Sequence, residues 1–197
     1  MINQRPKLFA SAHDGQNNAV VNYSPERWYM YATGYREAAD QLVEQAITVH
    51  HHLDVLVYPI VFLYRQYLEL RLKEIILQGN LLLDHHVSVP ATHELDALWV
   101  SAQRVVKEVW PNADDREGLE GIDAVVQELA AVDPQSMAFR YPVDKKTRKP
   151  LIRPSITHIN LRNFRDVLRE VSSLLDGAST GITEYLSDKS EMRAHGL

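Results

Sequence analysis

The feature that most constrains this chain is the run from Asp54 to Gly79, DVLVYPIVFLYRQYLELRLKEIILQG, its most apolar stretch, into which charges are set at intervals. Val61, Phe62, Leu68, Leu72, Ile75 and Ile76 recur at steps of three and four, the period of an α-helix. Asp54 is placed to cap the start, Pro59 sits early enough to be tolerated, and Gly79 is a stop signal. Apolar groups cover most of the circumference of such a helix, so it belongs at the centre of a bundle. Arg65 and Glu69, four residues apart among apolar neighbours, share one face of it. In that setting a pair of opposite charges is either a buried structural bridge or part of a site.

The flanking segments supply the cover. Ser24-Pro25-Glu26 reads as a helix start, and Trp28, Tyr31, Tyr35, Ala38, Ala39, Leu42, Ala46 and Val49 carry an amphipathic face on to His50-His51-His52. An irregular connection with His85, His86 and Pro90 leads to Thr92, the cap of a third helix from His93 to Val109 that Trp110-Pro111 ends. A fourth helix is predicted from Asp114 to Val132, weakened in its first half by Gly118 and Gly121, and Pro134 to Phe139 is sized for one helical turn. Tyr141 to Pro154, with three prolines and a KKTRK run, reads as a loop or short hairpin. The last long helix starts near Asn160 and carries Leu161, Phe164, Leu168, Val171, Leu174 and Leu175, with Gly177 and Gly181 as interruptions before Tyr185. The expected fold is an all-α, up-and-down bundle of four to five helices over residues 24–186. An irregular extension over 1–23 precedes it, a basic loop stands before the last helix, and a flexible polar tail covers 187–197.

With 197 residues, 45% of them apolar and 24% charged, the chain can bury a core as a single domain. It has no cysteine, which excludes disulfide scaffolds and thiolate metal sites. The opening MINQRPKLFASAHDG lacks the apolar segment of a secretion signal, and Val55 to Tyr64 is too short to span a bilayer before Arg65, Glu69, Arg71, Lys73 and Glu74 follow. No membrane partner and a cytoplasmic location are therefore expected. The net charge of −5 argues against a general nucleic-acid binder, but it is unevenly spread. Arg140 to Arg169 holds nine Lys or Arg against Asp144 and Asp166 alone, an excess of seven positive charges. Lys145, Lys146, Arg148 and Lys149 concentrate it, either as a patch for nucleic-acid phosphate or a partner's acidic surface, or as a solvated loop.

Three pieces of sequence stand in a suggestive order: Tyr64-Arg65…Glu69-Leu70…Lys73, then His93-Glu94-Leu95…Leu98, then Phe139-Arg140-Tyr141-Pro142. Over roughly Pro25 to Leu175 this order resembles the HEPN superfamily, helical domains of prokaryotic toxins, antiphage defence systems and partners of minimal nucleotidyltransferases. The resemblance implies a four- or five-helix bundle, often a homodimer, with RNA and an antitoxin or defence-system protein as partners. Active members are metal-independent ribonucleases without a cofactor. Their signature is an Arg followed, after four to six residues, by a His. The His acts on the ribose 2′-hydroxyl or the leaving oxygen, and the Arg stabilises charge on phosphate. The alternative for this chain is a catalytically silent HEPN-like module that dimerises or docks on a partner.

Two candidate sites follow. The literal signature is Arg153 to His158, RPSITH, but Pro154 directly after the Arg keeps the pair from sharing a helical face. The other is a constellation of Arg65, Glu69, His93, Arg140 and Tyr141, which carries the groups a phosphodiester site needs if they converge at one end of the bundle. Its alternative is structural: Arg65–Glu69 as a core ion pair, His93 satisfied near a helix start, and Arg-Tyr-Pro locking a loop. The His50–His52 and His85-His86 clusters match no metal-binding spacing, and no metal site is predicted. Phosphate loops, nucleophile elbows and Cys-His arrangements are also missing from the sequence.

Overall fold

The helical periods resolve into five α-helices among the described residues of the computed structural model, which are 8–113 and 116–195. They are α1 (Arg27–Val49), α2 (Leu53–Leu82), α3 (Leu95–Val109), α4 (Arg116–Val132) and α5 (Leu161–Ala194). Among the described residues the only β-type pairing is an isolated bridge between Val143 and Pro150, so the fold is an all-α bundle. No helix of these residues is long and apolar enough to cross a membrane.

Helix starts differ from the predicted ones by a few residues, for local reasons. Ser24 accepts a hydrogen bond from the Glu26 amide (3.1 Å), which shapes the entry to α1 just before Arg27. Thr92 does the same for Glu94 (3.0 Å) ahead of α3. Asp54 does not cap α2: His52, in the left-handed region at φ 59°, precedes Leu53, and Asp54 lies in the first turn, where its charge favours the positive end of the helix dipole. Asn160 does cap α5, accepting from the Asn163 amide at 3.0 Å. The predicted start of α4 at Asp114 lies outside the described residues.

α2 is the axis. Ile60, Tyr64, Leu68, Leu72 and Ile75 are fully buried, and every residue from Arg71 to Ile76 is buried, so neighbours enclose it on all sides. Trp99 and Leu98 of α3, Val126 of α4, and Leu168, Leu175 and Ile182 of α5 complete the same core. α1 runs antiparallel to α2: the Tyr64 hydroxyl donates to Asp40 at 2.5 Å, and further along Arg71 lies over the Tyr29 ring at 5.3 Å. Strict alternation is broken once, between α2 and α3. Arg65 meets His93 before α3, while Gly79 faces Val105 further along it, so the two helices run in the same direction. The connection over 83–94 carries the chain back along the bundle, and His85 pins it to Glu108 of α3 at 3.1 Å.

Two segments depart from expectation. Gly177 and Gly181 do not interrupt α5, because a helical glycine costs only about 1 kcal/mol. Trp110 packs on the space that Gly181 leaves, and Ile182 beside it is fully buried. Nor does the chain leave the bundle at Ser187: α5 continues to Ala194, held by Lys189 on the Leu82 carbonyl (2.5 Å) and Asp84 (2.6 Å) and by Arg193 on Asp84 (3.0 Å). The expected tail over 187–197 is therefore helical as far as Ala194, and the two residues after His195 lie outside the described part.

α2 and α3 approach closely at Gly79, where an added Cβ would run into Val105 Cγ1. Gly79→Ala is expected to destabilise by about 1–3 kcal/mol through overpacking. Val105→Ala in the same chain should recover part of that loss. Thermal denaturation of both variants checks it, and strictly additive effects would refute the contact.

Candidate functional site

Whether Arg65 and Glu69 form a site depends on what else reaches them. Both are buried, and so a charge on either must find its partners inside the protein. Arg65 Nη1 donates to Glu69 Oε2 at 3.2 Å, Nη2 to the His93 carbonyl at 2.8 Å, and Nε to the Asp133 carbonyl at 3.2 Å. The Asp133 carboxylate stands 3.7 Å away as a second counter-charge. Glu69 Oε1 takes Lys73 Nζ at 2.9 Å and His93 Nδ1 at 2.7 Å. Asp133 turns its other oxygen to the amides of Met137 (2.7 Å) and Ala138 (3.0 Å), so residues 134–139 form turns about this carboxylate instead of the predicted helical turn.

This cluster is balanced. Arg65 and Lys73 face Glu69 and Asp133, which leaves no surplus positive charge for a phosphate. Burial pushes the Arg65 guanidinium below its ordinary value, against the pull of Asp133 and Glu69. Burial works to raise Glu69, but the hydrogen bonds from Lys73 and His93 win and hold it below the ordinary glutamate value of 4.5. Arg65, Glu69 and His93 do not line the clefts at the start of α5 or beneath the 143–150 segment. Only the His93 side chain is open to solvent, at 67%.

Arg140 and Tyr141 do not join them. The Arg140 guanidinium lies over the Phe62 ring at 5.6 Å and the Tyr141 ring at 5.4 Å, and it forms no ion pair with a described residue. Arg153 and His158 are not brought together either. Arg153 donates to the Ala131 carbonyl at the end of α4, while His158 pairs with Thr157 at 3.0 Å on an exposed irregular segment. Among the described residues no group of three or more His, Asp or Glu is arranged to hold a metal. The His51 and His52 rings lie 3.8 Å apart, tilted by 57° to each other.

The basic loop is built. Asp144 Oδ1 accepts the amides of Lys146 (3.0 Å) and Thr147 (2.6 Å), and its own amide donates to the Lys149 carbonyl at 2.8 Å. Arg148 takes the left-handed conformation at φ 60°, and the Val143–Pro150 bridge closes the hairpin. The Thr147 amide bond holds the Asp144 carboxyl below its ordinary value. Lys145, Lys146, Arg148 and Lys149 stand exposed, without an ion pair to any described residue.

Sequence reasoning missed two groups. One is a second buried cluster at the α1–α2–α5 seam. Arg71 binds Glu74 and donates to Ser179 Oγ at 3.2 Å, Tyr67 donates to Asp176 at 2.8 Å, and Arg36 pairs with Asp176 at 3.4 Å. Arg71 Nε lies 2.8 Å from Asp176 Oδ1 without the alignment of a hydrogen bond. Burial raises the Tyr67 hydroxyl and the Glu74 carboxyl above their ordinary values. No local spacing signals Asp176, more than a hundred residues from Tyr67. The other group is the lining of a cleft of about 720 Å³ at the start of α5, where His50, Asp54, Tyr58 and Arg162 join His158. Its only signal was the positive excess between Arg140 and Arg169, to which Arg162 contributes. No family model matches the chain, and comparison with curated proteins and with solved structures gives no match.

Arg65→Ala leaves Glu69 and two carbonyls without their buried partner and is expected to cost about 3–5 kcal/mol. His93→Ala, which alters the solvent-open member, should cost less than about 1.5 kcal/mol. Chemical denaturation of the two variants checks the order. The depressed folded-state value of Glu69 means that its ionisation stabilises the fold above the unfolded value near 4.5, and that this share is lost as pH falls through the lower folded value. The stability gap between wild type and Glu69→Gln should therefore be widest near neutral pH and narrow below about pH 4. A gap unchanged between pH 7 and pH 3 would count against the ionised pair.

Proposed function

We propose that this chain is a HEPN-like helical module that associates with RNA through the hairpin of residues 143–150, and that its Arg65–Glu69–His93 cluster is a structural lock. One observation carries the reading: four cations on a turn fixed by Asp144, exposed and unpaired, in a chain whose buried cations are all matched by acids. Cations that the fold does not use are available to phosphate. Phosphate contacts supply most of sequence-independent nucleic-acid affinity and give it a steep salt dependence. The net charge of −5 favours a local footprint over a binding mode that wraps the whole surface.

Replacing Lys145, Lys146, Arg148 and Lys149 by Glu should leave the helical content and melting temperature close to wild type. RNA affinity should fall by at least about tenfold at moderate salt, with a shallower dependence on salt. Affinity and salt slope that survive the change would refute the hairpin as the contact.

Metal-independent RNA cleavage is the second reading, and what favours it is the lining of the α5 cleft. His158 stands there with His50 and Arg162, an acid–base pair of residue types beside a free guanidinium. Cleavage in EDTA that is lost in His158→Ala and kept in His93→Ala would establish it. An absence of cleavage at high protein concentration leaves the binding module.

A further inference from the structure

Beneath the hairpin lies a pocket of about 390 Å³, and its walls are unusual for a protein surface. Tyr58 and Tyr141 expose 48% and 46% of their area, and neither hydroxyl is hydrogen-bonded to a described residue. The exposed Arg140 guanidinium lies over the Phe62 and Tyr141 rings, and Phe139 and Ala138, both buried, form the floor. Pro142 and Pro150, at the foot of the hairpin, close the side below the four cations. A second cleft adjoins it: Tyr58, Phe139 and Ile152 also line the larger cleft at the start of α5. Arg162, on the wall of that larger cleft, stands exposed and without an ion pair to any described residue.

We propose that these adjoining clefts select single-stranded over double-stranded RNA, by stacking unpaired bases on Tyr58 and Tyr141 while the hairpin and Arg162 hold the backbone. The inference rests on the RNA reading above and deepens it. Phosphate contacts alone do not distinguish a single strand from a duplex, since both carry the same groups. Exposed aromatic faces do distinguish them. A base in a duplex is already stacked on its neighbours and turned inward, whereas an unpaired base can be splayed onto a ring or a guanidinium plane. The two clefts offer two half-open tyrosine rings beside the Arg140 guanidinium, with the hairpin cations at one cleft and Arg162 on the wall of the other. That alternation of charge and aromatic surface matches a strand whose phosphates and bases point to different sides. An acidic protein segment would satisfy the hairpin but gain nothing specific from the rings.

The test is fluorescence anisotropy with one labelled RNA, presented as a single strand and as a duplex with its complement. The proteins are wild type, Tyr58→Ala with Tyr141→Ala, Tyr58→Phe with Tyr141→Phe, and the hairpin with its charges reversed. Wild type should prefer the single strand by at least about tenfold, in line with one or more stacked bases. The double alanine variant should lose about 5- to 100-fold on the single strand and little on the duplex, so that the preference collapses. The double phenylalanine variant keeps the rings and should keep the preference, which also guards against misfolding of the alanine variant. Equal affinity of wild type for both forms overturns the inference, as does a preference that survives the alanine changes. If RNA binding is still lost on charge reversal in those cases, the RNA reading stands without it. Failure of wild type to bind either form overturns both.

Discussion

A guanidinium buried against the central helix cannot be solvated by water, and everything near Arg65 is arranged around that requirement. Two of its partners are backbone carbonyls from distant parts of the chain, His93 ahead of α3 and Asp133 after α4. One side chain therefore fixes the entry of one helix and the exit of another against α2. The dependence passes outward. Asp133 orders the amides of Met137 and Ala138, which places Phe139 in the core, Arg140 over Phe62, and the foot of the hairpin next to both. The surface that carries the unpaired cations is thus tied by a chain of hydrogen bonds to the most deeply buried charge of the bundle.

Two groups of charged residues play different physical roles. Those of α2 are buried and compensated: Arg65 and Lys73 by Glu69 and by Asp133 after α4, and Arg71 by Glu74 and by the half-buried Asp176 of α5. Compensation is what a low-dielectric interior demands, and it removes these groups from dealings with an outside anion. The hairpin cations meet the opposite condition. They are hydrated, uncompensated and held on a backbone that does not need their side chains for its shape. A site for an anionic ligand is easier to build from the second population than from the first.

Much of this was legible in the sequence. The three- and four-residue steps of Val61, Leu68, Leu72 and Ile75 located the axis, the Arg65–Glu69 pairing was readable from spacing alone, and the prolines around KKTRK marked the hairpin. What escaped was set by partners far away in sequence. Nothing near Arg71 announces Asp176, and nothing in Gly177 or Gly181 announces that Trp110 will pack against α5 there. Arg140 was grouped with His93 on chemical type, but the rings of Phe62 and Tyr141 hold it elsewhere, a preference that spacing does not encode. The order of helix directions was equally hidden, because a long connection is compatible with either sense.

That one break in alternation bears on how the chain reaches its folded state. α1 and α2 are joined by a tight turn and can zip together from local contacts. The seam between α2 and α5 is different: Tyr67 and Arg71 wait for Asp176 and Ser179, across more than a hundred intervening residues. Closing so large a loop carries an entropic cost that local helix pairing does not, and such topologies fold more slowly than simple hairpin bundles. Until α5 docks, Arg71 and Glu74 sit on a helix whose outer face is still wet. Docking of the last helix turns the polar flank of α2 that carries Tyr67, Arg71 and Glu74 into interior, so this part of the core depends on the segment of sequence far from it.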